Sequence, residues 1–345
     1  MGQTALLALV AVGLGLAVAV VVFAPFVALA YRRYRRLTLR YVLAWLAFLV
    51  YFMAVWAYTL LFFPDPDQLR CVRPQLVPFF SVGDAFKYPH SSLSQLLHNP
   101  VVGQVALNIA LFVPLGLFVR ILWNRGLVAS ALVGAGLSLF VETTQLTGVW
   151  GLYRCAYRVF DVDDVLTNTV GALIGGLVAL ALPRGWLVPA AQPVGQPAPV
   201  TVGRRLVAMV CDALGVWLIG AVGGLAAGRL AGAPQGGTGA DWVGLAAFGL
   251  PFLVQCVCVL ASGRTLGDFA TWLRWEPTRP AWLARRLARL FGGIGAFELL
   301  GLIQGPWSVL RYVFVLVAVA AVIARPKSGG LPGLLGRLTL ADTRA

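Results

Sequence analysis

Nine long apolar runs constrain the fold of this 345-residue chain more than any other feature. A helix of roughly 20 apolar residues can cross the hydrocarbon core of a bilayer, because all of its backbone hydrogen bonds are made internally. We therefore predict an all-α fold, a polytopic transmembrane helical bundle of about nine spans. The predicted spans lie at about 5–30, 41–63, 102–122, 127–147, 165–183, 206–228, 242–262, 290–305 and 309–325.

The composition supports a membrane protein and argues against two other classes. Hydrophobic residues make up 59% of the chain and charged residues only 12%, whereas soluble domains average roughly 25% charged residues. A net charge of +14 could attract nucleic acid, but in membrane proteins an excess of Arg usually marks the cytoplasmic loops. We expect the lipid bilayer as a partner, no nucleic acid, and, from the preference for Arg over Lys, a bacterial plasma membrane.

The basic residues also set the orientation of the bundle. The string Tyr31-Arg32-Arg33-Tyr34-Arg35-Arg36 follows the first span and, by the positive-inside rule, is cytoplasmic. Alternating the spans from there predicts an N-terminus outside and a C-terminus inside, with outer loops at about 64–101 and 148–164. The eighth run is short and Gly-rich, so it is either a full span or one half of a re-entrant pair with the ninth.

A stretch rich in Pro and Gly divides the chain. Five prolines fall between Pro183 and Gly203, which indicates a linker rather than a helix. We predict a five-span membrane domain at 1–183, a cytoplasmic linker at 184–203, and a membrane domain of three or four spans at 204–345. The sequence does not indicate an oligomeric state.

Two short polar strings interrupt the apolar pattern near the outer face. One is Glu142-Thr143-Thr144-Gln145 and the other runs from Arg158 to Asn168. At 1.5 Å per residue, Asn108, Glu142 and Asn168 all lie about 5–10 Å below the outer boundary, on three different helices. Ionisable residues inside a membrane are rare and usually functional. This level of the bundle is therefore the candidate site.

The spacing within the second string predicts which residues meet. Asp161, Asp164 and Asn168 follow an i, i+3, i+7 spacing and share one helix face, and Gly171 and Gly175 continue that face. Small residues let helices approach closely, so polar groups above them can form hydrogen bonds between helices. We predict a packed three-helix core that opens outward into a polar mouth.

The polar mouth has several functional interpretations. Asp161, Asp163 and Asp164 are weak candidates for holding a divalent cation, since hard cations take carboxylate oxygens. Glu142 could exchange protons, and Arg154 and Arg158 could bind a phosphate or carboxylate of a ligand. We assign no metal and expect no cofactor, because no motif for either is present.

A structural interpretation of the same residues is also open. Arg158 could form ion pairs with the nearby carboxylates, and Gln145 and Asn168 could complete a network that aligns the helix ends. Asn108 could be an interhelical hydrogen bond and no more. Pro114 is expected to kink the third span and to free a carbonyl that neighbouring groups must satisfy.

Two cysteines fall in the two predicted outer loops. Cys71 and Cys155 would face an oxidising compartment, where disulfides form and persist. The sequence leaves two alternatives, a disulfide that holds the long loop over the polar mouth, or two free thiols.

These strings resemble the VanZ-like family of bacterial membrane proteins over about residues 40–183. The matching strings are Asn108-Ile-Ala-Leu-Phe112-Val-Pro114-Leu-Gly116, Glu142-Thr-Thr-Gln145, and Arg158-Val-Phe-Asp161-Val-Asp-Asp164-Val-Leu-Thr-Asn168-Thr-Val-Gly171 with Gly175. Gln75-Leu76-Val77-Pro78-Phe79 is similar to a family element that usually begins with Asn. The resemblance implies an envelope protein that faces outward. VanZ-like proteins are associated with resistance to teicoplanin-type glycopeptides.

The C-terminal part is similar to the RDD family of small multi-span domains. The match consists of Arg205-Leu-Val-Ala208-Met-Val-Cys-Asp212 and Gly263-Arg264-Thr265-Leu266-Gly267. A second family Asp would fall near Gly333 and is absent, so we expect Asp212 to pair with a nearby Arg.

Three functions from different classes follow. The first is binding of a cell-wall precursor, another lipid-linked ligand or a glycopeptide at the outer leaflet. The second is a transporter or flippase, which would need polar groups through the membrane, whereas the inner halves of spans three to five are apolar. The third is a membrane-embedded hydrolase or transferase that uses Glu142 and Asp164, but its catalytic residues are unknown. We favour the binding function, and we expect that the protein is not an enzyme.

Overall fold

Helices make up most of the structure, a computed structural model that describes residues 3–60, 69–191, 197–230, 239–277 and 282–344. In these ranges, seven helices are long and apolar enough to cross a membrane. The predicted all-α membrane bundle is therefore confirmed. Three predicted segments lie outside the described residues: the end of the second span at 61–63, the start of the outer loop at 64–68, and residues 192–196 of the linker.

The chain divides into two compact units, one with residues 1–19 and 38–189 and one with residues 20–37 and 190–345. The helices up to the linker are α1 Gln3–Tyr34, α2 Leu39–Leu60, α3 Phe80–Ala85, α4 Leu93–Leu97, α5 Pro100–Trp123, α6 Leu127–Leu146, α7 Gly148–Gly151, α8 Val162–Val178 and α9 Arg184–Leu187. Helix α4 is the short surface helix of the outer loop, and the Ser92 hydroxyl caps its start by accepting from the Gln95 backbone N–H.

Helix α8 packs against α5 and α6 and forms the centre of the first unit. It has 17 residues, so at 1.5 Å per residue it is about 25 Å long and just sufficient to span. A Cβ atom added at Gly171 or Gly175 would collide with the carbonyl oxygens of Ile109 and Val113 on α5. A Cβ at Gly116 would collide with Ala172 in the opposite direction. The two backbones are therefore in direct contact.

Pro114 lies inside the continuous helix α5. A proline has no N–H, so Pro114 leaves the carbonyl of Ala110, four residues earlier, without its helical donor. Tyr51 on α2 donates its hydroxyl to the neighbouring carbonyl of Leu111 at 2.7 Å. This contact ties α2 to α5 where the ladder is weakest.

The second unit contains four helices of ten residues or more after the linker, with short elements between them. The elements are α10 Val202–Leu230, α11 Gly239–Ser262, α12 Leu266–Ala270, β1 Leu273–Pro277, α13 Trp282–Phe291, α14 Ile294–Leu300, α15 Val309–Ala324, α16 Leu331–Gly336 and β2 Leu338–Asp342. Strands β1 and β2 form an antiparallel pair, which the sequence did not predict.

The predicted eighth span at 290–305 is wrong as a full crossing. Gly292 and Gly293 separate α13 from α14, and α14 has only seven residues, or about 10 Å of helix. The pairing of β1 with β2 puts both ends of this part of the chain on one face, which two full crossings or a re-entrant pair would both do. The shortness of α14 favours the re-entrant alternative, a short helix that turns back into α15.

The C-terminal end of α1 contacts the last described residues of the chain. Arg344 donates to the carbonyls of Tyr31 and Arg32 at 3.2 Å, and Arg204 forms a buried ion pair with Asp342 at 2.8 Å. The basic string after the first span therefore lies on the same face as β1 and β2, as the positive-inside rule requires.

Candidate functional site

Asp164 is the point at which α8 meets α5 in the outer polar cluster. Its carboxylate accepts a hydrogen bond of 2.5 Å from the side-chain amide of Asn108, and the side chain of Gln104, one turn earlier on α5, lies close to it. Neither residue was predicted to meet Asp164. The i, i+4 spacing of Gln104 and Asn108 was the available signal.

Glu142 joins α6 to the start of α8. Its carboxylate accepts a hydrogen bond of 3.0 Å from the backbone N–H of Asp161, and Glu142 is only 4% exposed. The Asp161 side chain in turn caps α8 by accepting from the backbone N–H of Asp163 at 2.9 Å. Burial raises the pKa of the Asp161 carboxyl by more than this hydrogen bond lowers it.

Two amides below and beside these carboxylates connect further helices. Asn168 on α8 donates to the hydroxyl of Ser138 on α6 at 2.8 Å, and no described residue hydrogen-bonds its carbonyl oxygen. Gln145 on α6 donates to the backbone carbonyl of Thr59 on α2 at 2.9 Å. Four helices thus contribute to one polar layer.

The two outer loops run side by side above this layer. A disulfide joins Cys71 to Cys155, with the Cα atoms 5.6 Å apart, so the predicted bridge is present. Beyond it, the backbone N–H of Val72 donates to Ala156 at 3.1 Å and that of Gln75 donates to Phe160 at 2.7 Å. The long loop is therefore fastened along the approach to α8.

Asp163 completes the attachment of the long loop. Its two carboxylate oxygens accept from the backbone N–H groups of Phe79 and Ser81, at 2.6 and 2.8 Å, and these donors belong to the start of α3. The side-chain amide of Gln75 forms two hydrogen bonds with the backbone of Val77, one as donor and one as acceptor. Gln75 therefore closes this turn although the similar family element usually has the shorter Asn here.

The weak metal candidates Asp161, Asp163 and Asp164 do not converge on one point. Asp161 caps its own helix, Asp163 binds α3, and Asp164 faces α5. Across the described ranges, no group of three or more His, Cys, Asp and Glu side chains is arranged to hold a metal ion. The hydrogen bonds explain the divergence, because each carboxylate has a different donor.

Arg158 remains at the outer edge of the cluster. It is exposed, and its charge is near enough to act on both Glu142 and Asp164. No carboxylate of the described part of the chain lies within 4.0 Å of it. The ion-pair network of the structural interpretation is therefore not formed, although the carboxylates do satisfy backbone and amide donors.

An apolar groove lies on the other side of the α5–α8 seam, under the long loop. Its volume is about 380 Å³, and the loop residues around it are unusually exposed for apolar side chains, such as Phe79 at 69% and Leu93 at 73%. Exposed apolar patches of this kind mark membrane or ligand contacts. The groove is lined mainly by Val82, Phe86, Val101, Val105, Leu166 and Val170.

A second polar cluster lies in the C-terminal unit. Asp268 pairs with Arg205 at 3.0 Å and with Arg289 at 2.6 Å, and the three side chains are at most 4% exposed. Burial alone would raise the pKa of the Asp268 carboxyl, but the charges of Arg289 and Arg205 hold it at about 2. Asp268 was not among the predicted site residues, because the motif match placed a second carboxylate near Gly333 instead.

Asp212 is not the partner of an Arg, contrary to the prediction. It accepts hydrogen bonds from the Thr265 hydroxyl at 2.8 Å, the Gly267 backbone N–H at 2.7 Å and the Gln255 amide at 3.3 Å. No described Arg lies within ion-pair distance of it. Asp268 forms the ion pairs with Arg205 and Arg289 instead, because it lies between α10 and α13.

Comparison with known proteins identifies one part of the chain. Residues 48–183 match the family model described as VanZ/LLP1, and this range includes the whole outer polar layer. No curated protein matches the chain, and no solved structure matches it. Residues 48–183 are therefore similar to the VanZ/LLP1 family, within a multi-pass membrane protein.

Proposed function

We propose that this VanZ-like membrane protein binds a lipid-linked, anionic envelope ligand at the outer leaflet of a bacterial plasma membrane. A cell-wall precursor on a polyprenyl phosphate carrier has this chemistry. Through such binding the protein could confer resistance to a teicoplanin-type glycopeptide, which acts on the same precursors. The C-terminal domain is proposed to be RDD-like, on the strength of its sequence motifs alone.

The proposal depends on the guanidinium of Arg158, which is exposed and unpaired among the described residues. Its guanidinium is exposed at the outer boundary, and no described carboxylate forms an ion pair with it. Glu142 and Asp164 are each held by other donors. A guanidinium with free donors binds phosphate bidentately, whereas one already paired with a carboxylate would not.

The apolar groove supports a ligand with a hydrocarbon chain. It lies at the level of the outer loop, and α5 and α8 supply its apolar wall. Each buried CH₂ group contributes about 0.8 kcal/mol of transfer free energy. The chain would lie in the groove and the phosphate would reach the polar edge, so that neither part needs to enter the core of the bundle.

The transport alternative has less support. Between α5 and α8 the glycine contacts bring the two backbones together, and the described residues of this seam offer no polar path below Asn168. The hydrolase alternative would need a nucleophile or a metal, and the described carboxylates do not converge to hold one.

The decisive experiment measures binding of a defined probe. Full-length protein in nanodiscs is titrated with a short polyprenyl phosphate and, separately, with the uncharged polyprenol, and bound lipid is counted by native mass spectrometry. We expect the phosphate to bind preferentially, and Arg158→Gln to reduce this preference about tenfold, which corresponds to about 1.4 kcal/mol.

The matched control is Arg73→Gln, since Arg73 is also exposed in an outer loop. It should leave the preference unchanged. Equal binding of phosphate and alcohol by the wild type, or equal loss in both variants, would refute the proposal. In cells, Arg158→Gln at normal protein levels should change teicoplanin susceptibility and Arg73→Gln should not.

A further inference from the structure

Glu298 is a buried carboxylate without a hydrogen-bond partner. It is 2% exposed, and no described residue donates to either of its oxygens. It lies on α14, the short helix that ends at Leu300 within the re-entrant segment. A carboxylate in the membrane interior is strongly unfavourable when unpaired, and such a residue is by default a functional candidate.

A cavity of about 560 Å³ lies in front of this carboxylate. Small residues of α10 and α11 create the space, and they include Gly224 and Gly244. Both glycines lie near the outer ends of their helices in the predicted orientation, so the cavity occupies the outer half of the C-terminal unit. Discontinuous helices that line a cavity at this depth commonly form the binding sites of membrane proteins.

Arg311 lines the same cavity from the start of α15. Its guanidinium lies 4.0 Å from the ring centroid of Phe297, and no described residue accepts a hydrogen bond from its Nε. Arg311 acts electrostatically on Glu298, but the two side chains are not within the 4.0 Å of an ion pair. Glu298 and Arg311 therefore line one cavity without forming an ion pair with each other.

We propose that this cavity binds a small zwitterion, with its primary ammonium group on Glu298 and its anionic oxygen group on Arg311. A simple cation would satisfy Glu298 and leave Arg311 unpaired, and a simple anion would do the reverse. One ligand with both charges satisfies both residues. The volume is ample for a free amino acid or for the headgroup of phosphatidylethanolamine, and these two sources share the same chemistry.

The test uses full-length protein in nanodiscs of phosphatidylglycerol, which lacks an ammonium group. One arm measures binding of radiolabelled glycine, L-alanine and L-leucine by scintillation proximity. The other arm uses nanodiscs with equal amounts of phosphatidylethanolamine and phosphatidylglycerol and counts the retained lipids by native mass spectrometry. We expect saturable binding in one arm, and the arm that responds identifies the source.

Glu298→Gln and Arg311→Gln should each weaken that binding at least tenfold. The matched controls are Glu276→Gln and Arg229→Gln, because Glu276 pairs with Arg274 in β1 and Arg229 is exposed. Both controls should bind as the wild type does. Glu298→Gln should not lower the melting temperature, since the buried carboxylate has no described hydrogen-bond partner to lose.

A third variant keeps the test decisive if a charge variant fails to fold. Gly244→Phe retains both charges, and a Cβ at Gly244 meets no atom within 4 Å, so its side chain can fill the cavity without a backbone collision. It should abolish binding by occlusion. Absence of binding in both arms with the wild type, or unchanged binding in Glu298→Gln or Gly244→Phe, would overturn the proposal.

Discussion

The side-chain amide of Asn108 donates a hydrogen bond of 2.5 Å to the carboxylate of Asp164, and this contact joins α5 to α8 near the outer face. It lies directly above the glycine contacts between the same two helices. The close backbone contact between α5 and α8 and the outer polar layer are therefore parts of one interface. The polar layer can be fixed in place only because the helices below it touch.

Replacing Asn108 with Ala should destabilise the protein more than replacing Gln104 with Ala. Asn108 is partly buried and donates to Asp164 at 2.5 Å, whereas Gln104 is exposed and lies close to Asp164. Leaving a partly buried acceptor short of a donor costs about 1–3 kcal/mol. Thermal unfolding of the purified protein in detergent measures the difference. Equal shifts in melting temperature for the two variants would contradict this assignment.

Glycines of the same bundle should respond oppositely to substitution by Ala. At Gly175 a Cβ would collide with the carbonyl of Val113, whereas at Gly136 on α6 it would meet nothing within 4 Å. We expect Gly175→Ala to lower the free energy of unfolding by about 2 kcal/mol or more, because overpacking forces the helices apart. Gly136→Ala should be neutral or slightly stabilising, since Ala favours helix. A similar loss in both variants would refute close packing at Gly175.

The sequence predicted the membrane helices well where apolar length alone decides. It failed at 290–305 because hydropathy counts apolar residues but does not register where the chain turns. Gly292 and Gly293 separate α13 from α14, and α14 ends after seven residues, which is too short for a full crossing. The pairing of β1 with β2, more than sixty residues apart, was not predicted either, because long-range pairing has no local signal.

The candidate site was predictable in its membership but less so in its bonding. The periodicity of α8 correctly indicated that Asp164 and Asn168 face other helices, and they contact Asn108 and Ser138. The role of Asp163 was not predictable, because its partners are backbone N–H groups more than eighty residues away. Nearly every residue has a backbone N–H, so the sequence does not show which of these groups will bind a carboxylate.

The disulfide should be detectable by thiol labelling from the outside. Cys71 and Cys155 form the bridge, whereas Cys211 is free and buried. A membrane-impermeant maleimide should not label intact cells at Cys71 or Cys155 until a reductant is added. Cys71→Ser should make Cys155 reactive without reductant, and Cys211→Ser should change nothing. Labelling of Cys71 in the untreated wild type would contradict both the bridge and its outer location.

In the C-terminal unit, Asp268→Asn should be more harmful than Asp212→Asn. Asp268 neutralises two buried guanidinium groups, those of Arg205 and Arg289. Breaking a buried pair by removing one partner costs about 3–5 kcal/mol. Asp212 accepts only neutral donors among the described residues, so its amide variant should cost less, about 1–3 kcal/mol. A larger loss in Asp212→Asn, measured by thermal unfolding, would reverse the roles assigned to the two residues.

Comparing the wild type with Asp268→Asn also gives a prediction for pH. The pKa of the Asp268 carboxyl is about 2 in the folded protein, below the ordinary value of roughly 3.9 for an unfolded chain. A group whose pKa is lowered by folding stabilises the protein fully above its unfolded pKa, and the contribution disappears as the pH falls through the folded pKa. The difference in melting temperature between the wild type and Asp268→Asn should therefore stay constant from pH 8 to about 5. Convergence of the two curves within that range would show that Asp268 is not held ionised by Arg205 and Arg289.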